Sequence, residues 1–573
     1  MSEVTFIKGK DASLEESIEK LQTTLRAQGF SIEEKSWLNP VKNVFSLHIA
    51  EATCPGVFTN GKGVSRKSTL ASALGEFLER LSTNYFFSDY WLEPSVENSS
   101  WLYYPDEKRF SEADYRESLS EELWTLYDPN NQIGFNELLS FNDSQELVTA
   151  IAMREQGSGE SVYFPMNLLS NYYASNGLSA GNTALEAQVQ GLSEIFERWV
   201  KNKILRENLC LPEVPDSVIE QFPAVVEAME ALKKEGIELS VRDASLGGTF
   251  PVISVVLFEQ SSGQCFASFG AHPLFEVALE RTLTESLQGR QLAHLDGFQT
   301  PVFDEFLVAE DENIENHFID SSGLIHARFI SNDNDFEFNH WNFGDTTQSQ
   351  WLNLVSMVES EGAKVYIANY GHCGFQACRI VVPGMSEIYP FDELLVSNQN
   401  EGRLLREHLL TLPETDDFKG LVELVEALGF SDHQGVASLI GLMPDKGSFW
   451  ANLKVCDLKF WGLLAAHDLA EALDALHEVQ HFMNPDNPYK AIYDALSFAL
   501  QDMHYREEQA EEFSLFTTKQ LFGDKLTQKV KMILDGKLTF AGADQGMDIF
   551  SKSQQHQALW AIYRQLHETK ASV

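Results

Sequence analysis

The segment "LEESIEKLQTTLRA", residues 14–27, places leucine or isoleucine at intervals of three or four residues, as one face of a helix requires. Ser13 precedes this segment and Glu16 stands three positions after Ser13, which is the capping-box pattern of a helix start. Gly29 follows the last apolar position, and glycine commonly ends helices. The pattern predicts a first helix between Ser13 and Gly29.

Short apolar runs rich in β-branched and aromatic residues predict strands along the first two thirds of the chain. Ser-Ser-Gly separates the last two of these runs and predicts a hairpin. Helical patterns alternate with the runs up to about residue 395, which indicates an α/β or α+β domain. The predicted strands are "VFSLHIA", "ELVTAIAM", "SVYFPM", "PVISVVLFEQ" and "QCFASFGA".

The strand pattern stops after about residue 410. Successive segments rich in Ala, Leu and aromatic residues follow, such as "LKVCDLKFWGLLAAHDLAEALDALHEVQHFM" and "QHQALWAIYRQLHE". They predict helical hairpins of the tetratricopeptide-like kind, although the chain shows no strict 34-residue period. We therefore predict two domains, an α/β (α+β) domain over residues 1–410 and an all-α, tetratricopeptide-like domain over residues 411–573.

One unit recurs three times in the first domain. "TNGKG" precedes "LGEFLER", "SNGLSAGN" precedes "LSEIFER", and "SFGAHP" precedes "LTESLQGR". Each is a strand end or glycine loop followed by a helix with glutamate at a matching place. The third helix has Glu285 and Gln288 where the others have two glutamates. Three related helices predict one shared site.

Polar residues follow one face of the first two of these helices at helical spacing. Like charges at such spacing destabilise an exposed helix by about 0.2 to 0.5 kcal/mol per pair, and a cation would offset that effect. Mg²⁺ takes oxygen ligands and shares them with substrate phosphates, and arginine donates planar hydrogen bonds to phosphate. The residues of the two faces are Ser72, Glu76, Glu79 and Thr83, then Glu186, Gln190, Glu194 and Glu197; the arginines are Arg198 and Arg281.

A solvated, purely structural face is the alternative. Glu76 with Arg80 and Glu194 with Arg198 have the spacing of ordinary helical ion pairs, and Thr183 with Glu186 has that of a capping box. This hypothesis does not explain why the pattern recurs after each glycine loop.

The chain contains neither the Gly-x-x-x-x-Gly-Lys-Ser/Thr loop nor the Gly-x-Gly-x-x-Gly turn of common nucleotide sites.

The strongly negative net charge of the chain argues against anionic binding partners. The chain has 85 acidic and 42 basic residues, a formal net charge of −43. Such a field repels nucleic acid and anionic lipid, so we expect no direct nucleic-acid partner and no membrane partner. The start of the chain has no apolar leader pattern and no window approaches the roughly 20 apolar residues of a membrane span, which predicts a cytoplasmic protein.

Two other motifs suggest metal binding. The six cysteines are scattered, which predicts free thiols. Cys373 and Cys378 stand near His372, but the segment around them is predicted to be two strands and a turn. Residues 477–481 read His-Glu-Val-Gln-His, the helical motif of zinc peptidases, yet Asn484 and Pro485 soon break the helix and no third-ligand motif follows. We expect metal at neither place.

"LASALGEFLERLSTNYFF", "SAGNTALEAQVQGLSEIFERWVKN" and "ASFGAHPLFEVALERTLTESLQGR" resemble the three characteristic helices of the YcaO family of ATP-dependent amide-activating enzymes. The resemblance implies an unusual ATP-binding fold in which acidic helices hold Mg²⁺ against the triphosphate. It also implies phosphoryl or nucleotidyl transfer from ATP to the oxygen of a peptide amide or carboxylate.

Carried over position by position, the resemblance assigns a role to each polar residue of the repeated unit. Arg198, Arg281 and Glu285 would act in catalysis. The metal ligands would be Glu76, Glu79, Glu186, Glu194, Glu197 and Glu285, and the nucleotide contacts would be Lys10, Ser17, Ser72, Asn182, Gln190, Arg198 and Arg281.

The chain departs from the azoline-forming members of the family in one respect. Those members end in a proline-rich tail, whereas this chain ends "HETKASV", which implies a member that forms no azoline. The resemblance further implies a homodimer, a protein or peptide substrate, and a role beside the methylthiotransferase of a small-subunit ribosomal protein. A non-catalytic adaptor that uses the helical C-terminal domain, with ATP as a structural or switching ligand, is the alternative.

Overall fold

The computed structural model describes residues 4–143, 147–292, 297–509 and 512–572. The protein mixes helices with antiparallel sheets and ends in helices only, so the predicted α+β organisation with a helical C-terminal region is confirmed. The twelve strands are β1 Ile32–Val41, β2 Val44–Glu51, β3 Phe58–Gly63, β4 Lys108–Phe110, β5 Val148–Glu155, β6 Ser161–Pro165, β7 Leu178–Gly181, β8 Ile237–Asp243, β9 Val252–Glu259, β10 Gln264–Ala271, β11 Tyr366–Tyr370 and β12 Gln376–Val381.

Thirteen α-helices lie between or beside these strands in the described residues up to Val396. They are α1 Leu14–Ala27, α2 Arg66–Ser82, α3 Glu121–Tyr127, α4 Phe135–Leu138, α5 Met166–Tyr173, α6 Ala184–Arg206, α7 Asp216–Ile219, α8 Pro223–Lys234, α9 Phe275–Ser286, α10 Glu305–Ala309, α11 Asp311–Ile319, α12 Thr347–Ser360 and α13 Glu393–Val396.

The remaining helices follow, and the described residues between them contain no strands. They are α14 Gly402–Thr415, α15 Phe418–Leu428, α16 Val436–Leu439, α17 Phe449–Asn452, α18 Val455–Ala465, α19 Leu469–Phe482, α20 Lys490–Glu508, α21 Phe516–Leu534, α22 Asp548–Ser551 and α23 Gln554–Ala571. None of the helices in the described ranges is long and apolar enough to cross a membrane.

The strands form three sheets, and all their pairings are antiparallel. The orders are β1-β2-β3, β10-β9-β8, and β4-β5-β11-β12-β7 with β6 paired to β5. The predicted hairpin is confirmed, because Gln264 of β10 pairs with Glu259 of β9. Helix α1 begins at Leu14 with the predicted capping box of Ser13 and Glu16. The strand predicted from "ELVTAIAM" is β5, and Glu146 at its start lies outside the described residues.

Two compact units divide the chain. The first comprises residues 1–88, 98–398 and 565–573, and the second comprises residues 89–97 and 399–564. The boundary between residues 410 and 411 and the tetratricopeptide-like character of the helices stay predictions.

Helices α6 and α9 supply the centres of two buried clusters in the first unit. Leu192, Ile195 and Phe196 of α6 are buried against residues of β9, β10 and α12, and Ala278 and Leu279 of α9 are buried against β8 and β9. These clusters fix both helices by their apolar faces. Their polar faces are thereby held in a constant orientation.

In the second unit the helices pack mainly on their neighbours in sequence. Helix α18 packs on α15 and α19, and α20 packs on α19 and α21. Trp461 of α18 is buried, and its indole nitrogen donates to the hydroxyl of Tyr493 of α20 at 2.9 Å. Such local packing agrees with the predicted succession of helical hairpins.

Candidate functional site

The glycine before each of the three related helices has a structural reason. A Cβ atom on Gly61 of β3 would overlap the backbone of α2, and one on Gly270 of β10 would overlap Thr282 of α9. A Cβ atom on Gly181 of β7 would lie 2.5 Å from the backbone nitrogen of Ala187 in α6. Only glycine permits these close approaches of strand to helix. The repeated unit therefore places each helix against its own strand in the same way.

The three helices place Glu76, Glu79 and Glu194 within electrostatic range of one another and Glu197 within range of Glu285, and the charge of Lys62 acts on members of both groups. Burial raises the pKa of Glu79 to about 8, against the neighbouring Arg80, and the charges of Glu194 and Glu76 raise it further. Burial raises the pKa of Glu197 to about 7, and the charge of Glu285 adds to this shift. We call Glu76, Glu79, Glu194, Glu197 and Glu285 the carboxylate cluster.

Cationic side chains of the same elements surround the carboxylate cluster. Lys62 of β3 lies 2.6 Å from Oε1 of Glu285, and Arg198 lies 2.8 Å from Oε1 of Glu194. Although burial alone would raise the pKa of Glu285, the charges of Lys62 and Arg281 hold it below its usual value. Each of these carboxylates is thus held by a cation of the chain itself.

The exposure of the polar side chains on these helices tests the alternative hypothesis of a solvated face. The helical ion pairs exist, because Arg80 lies 3.5 Å from Glu76 and Arg198 pairs with Glu194. Their side chains are only 17 to 34 % exposed, however, and Glu79 is 13 % exposed. A fully solvated face is therefore wrong for these helices.

Lys201 lies beside the cluster on the buried side of α6. Its ammonium group donates to the backbone oxygen of His317 at 2.7 Å. Burial lowers the pKa of Lys201 to about 8, while the charge of Glu197 acts in the opposite direction. The sequence pattern did not indicate Lys201, because its position on α6 falls outside the repeated motif.

A second group of predicted residues meets at the start of α1 and α6. Ser17 of α1 donates to Oδ1 of Asn182 at 2.9 Å, and Asn182 donates to both oxygens of Glu186. Lys10 lies 3.1 Å from Oε1 of Glu186, whose Oε2 accepts from the backbone nitrogen of Asp11 at 2.9 Å. Glu186 is 3 % exposed and is fully occupied by donors of the chain. Its role as a metal ligand stays a prediction.

The remaining predicted residues connect these groups. Arg281 of α9 donates to Oε1 of Gln190 of α6, so the two nucleotide-contact candidates are directly joined. Ser72 of α2 accepts from the backbone nitrogen of Lys62 at 3.4 Å. All thirteen predicted site residues therefore lie on α1, α2, α6 and α9 or on the loops that lead into these helices.

His272 is a further candidate residue beside these groups that the sequence pattern did not indicate. It is 4 % exposed, and its Nδ1 accepts from the backbone nitrogen of Leu274 at 3.0 Å. Burial, with the charges of Arg281 and Lys10, holds the pKa of His272 well below its usual value. Gly9, with φ +75°, packs on the imidazole ring. The histidine of "SFGAHP", next to the repeated motif, was the available signal.

The side chains do not present a preformed metal cage. Within the part of the chain that the structure describes, no three His, Cys, Asp or Glu side chains are grouped as metal ligands. His477 and His481 of α19 are exposed, and the six cysteines are buried thiols that form no disulfide within the described ranges, as predicted. The carboxylate cluster nevertheless suits Mg²⁺, which keeps several waters and uses few protein carboxylates with substrate phosphates. Its half-buried negative charges are what such a cation would offset.

A protein-family model described as YcaO cyclodehydratase, ATP- and Mg²⁺-binding, matches residues 60–386, which contain all three helices of the repeated unit. The chain belongs to the YcaO family. A second model, described as YcaO cyclodehydratase C-terminal domain, matches residues 402–572. The predicted family and its cofactors, ATP and Mg²⁺, are thereby confirmed. The YcaO description also supports ATP-dependent enzyme activity in general.

Two relatives are similar over almost their whole length. The chain is 44 % identical to the Escherichia coli (strain K12) protein named ribosomal protein S12 methylthiotransferase accessory factor YcaO, covering 99 % of both chains. It is 42 % identical to a Haemophilus influenzae protein named only as uncharacterized, covering 100 % of this chain and 99 % of that protein.

Two solved structures also match. A heterocyclase in complex with substrate and cofactor has a TM-score of 0.44 and 17 % identity, with 67 % of this chain and 55 % of that chain covered. YcaO from Methanopyrus kandleri bound with AMPPCP and Mg²⁺ has a TM-score of 0.39 and 18 % identity, with 68 % and 96 % covered.

Proposed function

We propose that the protein is an Mg²⁺-dependent enzyme that uses ATP to activate the oxygen of a peptide amide or carboxylate without forming an azoline. The observation that carries this proposal is the carboxylate cluster, in which glutamates of three separate helices converge and three of them have raised pKa values. A structural role alone does not require so many half-buried carboxylates to be adjacent. A site for a divalent cation and a polyphosphate does.

Each part of the site has a distinct task in this proposal. The carboxylate cluster would hold Mg²⁺, which when bound would offset the charge of the phosphate oxygens. Arg198 and Arg281 would donate hydrogen bonds to those oxygens and fix their orientation. Lys10, Ser17, Ser72, Asn182 and Gln190 would contact the rest of the nucleotide, with Glu186 as a further metal ligand. Glu285, on the same helix as Arg281, would act next to the reacting oxygen.

The acceptor is proposed by analogy with the named relative. That Escherichia coli protein is named as an accessory factor of ribosomal protein S12 methylthiotransferase, and the identity extends over 99 % of both chains. We therefore place the reaction beside the methylthiolation of a small-subunit ribosomal protein, in the cytoplasm. The homodimer expected from the family is part of the same proposal, and sedimentation equilibrium of the purified protein tests it.

Calorimetric titration with a non-hydrolysable ATP analogue tests the site. We expect saturable binding that requires Mg²⁺ and weakens in Glu194→Gln. ATP turnover should be lost in Glu197→Ala and in Arg281→Ala while the far-ultraviolet circular dichroism stays that of the folded protein. Unchanged turnover in both variants would refute the site assignment. Glu33→Gln, on an exposed position of β1, is the control and should behave as wild type.

A non-catalytic adaptor is the second candidate. The second unit leaves large apolar side chains exposed on α21, with Phe516 68 % and Leu521 60 % exposed. The adaptor hypothesis assigns these side chains to contact with a partner. Phe516→Asp with Leu521→Asp should then abolish the modification in cells and leave ATP turnover intact. Truncation near residue 400 is a poorer test, because it also removes residues 565–573, which belong to the first unit.

A further inference from the structure

The chain holds the guanidinium of Arg198 at one of its three nitrogens. Nη1 of Arg198 donates to Oδ1 of Asn176 at 3.0 Å and lies 2.8 Å from Oε1 of Glu194. Among the described residues, its Nε and Nη2 make no hydrogen bond or ion pair with the chain. The guanidinium also lies over the ring of Phe318 of α11, 4.7 Å from the ring centre. The protein therefore fixes this side chain at one corner and on one face, and its other two donors can serve a ligand.

Asn176 lies in the loop between α5 and β7, and its side chain has a single satisfactory orientation. It is 1 % exposed, and its Nδ2 donates to the backbone oxygen of Ser386 at 2.7 Å. Exchange of the amide oxygen and nitrogen would bring two donors together at Arg198 and two acceptors together at Ser386. The hydrogen bonds at both ends of the amide thus direct Oδ1 to Arg198.

The backbone at Asn176 is fixed as well. Its nitrogen donates to the backbone oxygen of Tyr173 at 2.8 Å, and the oxygen of the next residue, Gly177, accepts from the nitrogen of Ile380 of β12 at 2.8 Å. Gly177 has φ +76°, and a Cβ atom there would lie 2.1 Å from the backbone oxygen of Ile380. Only glycine permits this approach of the loop to the strand. Asn176 consequently presents a rigid acceptor to Arg198 from outside α6.

The two partners of Nη1 differ in charge and in their proposed roles. Glu194 is a proposed metal ligand, and a carboxylate that is shared with Mg²⁺ attracts Arg198 less. Asn176 is neutral and belongs to another element, so its hydrogen bond to Arg198 does not depend on the metal. A neutral acceptor also leaves the positive charge of the guanidinium to a phosphate, whereas a second carboxylate at this place would offset that charge.

We propose that Asn176 is a positioning residue that orients Arg198 toward the phosphates of the nucleotide. It acts through its hydrogen bond to Nη1 and contacts no substrate itself. With Nη1 held, Nε and Nη2 lie on the other edge of the guanidinium and can donate two parallel hydrogen bonds to one phosphate group. This inference deepens the proposed function and rests on it for the role of Arg198.

Calorimetric titration of the full chain with a non-hydrolysable ATP analogue and Mg²⁺ tests the inference. We expect Asn176→Ala to weaken binding about fivefold or more, since one hydrogen bond that orients a charged group is lost. The control is Asn171→Ala: Asn171 is also buried, and its side chain donates to the backbone oxygen of Asn167 on the same helix at 2.8 Å. This variant should bind as wild type. Asn176→Ser, whose hydroxyl is too short to reach both Arg198 and Ser386, replaces Asn176→Ala if the latter does not fold.

A second comparison separates positioning from a merely structural role. An effect that is transmitted through Arg198 disappears when Arg198 is removed, so Asn176→Ala should cause no further loss of affinity in Arg198→Ala. A structural role would weaken binding by the same factor in both backgrounds. If Arg198→Ala binds too weakly to be measured, Arg198→Lys is the background. The added loss should shrink there, because lysine has no second edge of donors.

Three results would overturn the inference. They are wild-type affinity in Asn176→Ala, equal losses in Asn176→Ala and Asn171→Ala, and a loss from Asn176→Ala that is unchanged when Arg198 is replaced. Failure of the proposed function is distinguishable from these results, because the wild-type protein would then bind no nucleotide at all.

Discussion

Lys62 of β3 and Glu285 of α9 form an ion pair of 2.6 Å at the centre of the site. Lys62 thereby occupies a carboxylate that is proposed to bind Mg²⁺. The two groups come from different copies of the repeated unit, so the pair joins a strand of the first copy to the helix of the third. A metal ion that uses Glu285 must displace this ammonium group.

Removing Lys62 should therefore strengthen Mg²⁺ binding in the absence of nucleotide. The side chains are 22 and 34 % exposed, and ion pairs of this exposure contribute up to about 1 kcal/mol, so we expect Lys62→Gln to tighten Mg²⁺ binding by up to about fivefold. Calorimetric titration with Mg²⁺ measures this change. Lys8→Gln, which breaks the exposed pair of Lys8 with Glu276 on the same helix, should leave the affinity unchanged. Weaker binding in Lys62→Gln would show that Lys62 assists the metal site.

The raised pKa of Glu79 predicts a dependence of stability on pH. Its value of about 8 in the folded protein exceeds the ordinary 4.5, so the folded state holds a proton that the unfolded state has lost between these values. The stabilisation from this proton is complete below pH 4.5 and is lost as the pH rises through 8. One such proton changes the free energy of unfolding by up to about 1.4 kcal/mol per pH unit.

Glu79→Gln should remove that contribution. We would measure the free energy of unfolding of wild type and variant by urea denaturation without Mg²⁺. From pH 5.5 to pH 8 the stability of wild type relative to the variant should fall steadily. The exposed substitution Glu33→Gln should show a constant difference from wild type. A constant difference for Glu79→Gln as well would mean that its carboxyl group is ionised throughout this range.

The carboxylate cluster could be predicted from the sequence because its glutamates recur in a repeated unit. Glu76, Glu194 and Glu285 each occupy the same place in a repeated strand-and-helix unit, and such a repeat can be detected without knowledge of the fold. The pairing of Lys62 with Glu285 could not be found in this way, because Lys62 stands on a strand and its partner is decided by how distant strands and helices pack.

The same limit explains the residues next to the motif. His272 stands beside the third helix in sequence, but its contact with Gly9 joins positions more than 250 residues apart. Glu186 follows the spacing of the metal ligands, yet the loop that carries Lys10 reaches it and occupies its oxygens. Local periodicity predicts which face of a helix is polar. It does not predict which segment covers that face.

The buried contacts of Lys570, near the end of the chain, indicate that the last residues stabilise the first unit. It is 3 % exposed and donates to Oδ1 of Asn84, just after α2, and to the backbone oxygen of Tyr103 at 3.0 Å. Without the Lys570 ammonium group these two buried oxygens lose a hydrogen-bond donor, which lowers the free energy of unfolding by about 1 to 3 kcal/mol. We expect Lys570→Met to lower the free energy of unfolding by that amount, whereas Lys552→Met should leave it nearly unchanged, because water screens its exposed ion pair.

The pH dependence of this effect has the opposite sign to that of Glu79. Burial lowers the pKa of Lys570 to about 7 from the ordinary 10.5, so the unfolded state holds the extra proton between these values. Stability from this group therefore rises with pH from 7 to 10.5. The loss caused by Lys570→Met should grow over this range in urea denaturation. A loss that is constant or shrinks would mean that the buried amine keeps its proton.

The close approach of Gly9 to His272 fixes the position of the loop that carries Lys10. Gly9 has φ +75°, and a Cβ atom there would lie 2.7 Å from Cε1 of His272. Gly9→Ala should therefore push this loop away from the imidazole and move Lys10 and Asp11 relative to Glu186. Because these residues belong to the proposed nucleotide pocket, we expect the affinity for the ATP analogue with Mg²⁺ to fall by about tenfold or more, which corresponds to ~1.4 kcal/mol.

Gly159 provides the matched control for this substitution. It has the same φ of +75°, but a Cβ atom there would meet nothing within 4 Å. Alanine at either position strains the backbone by roughly 1 to 2 kcal/mol, so both variants should lose comparable stability. Only Gly9→Ala should also lose nucleotide affinity in calorimetric titration. Equal affinities in the two variants would contradict this prediction, because they would show that the loop carrying Lys10 adjusts without disturbing the pocket.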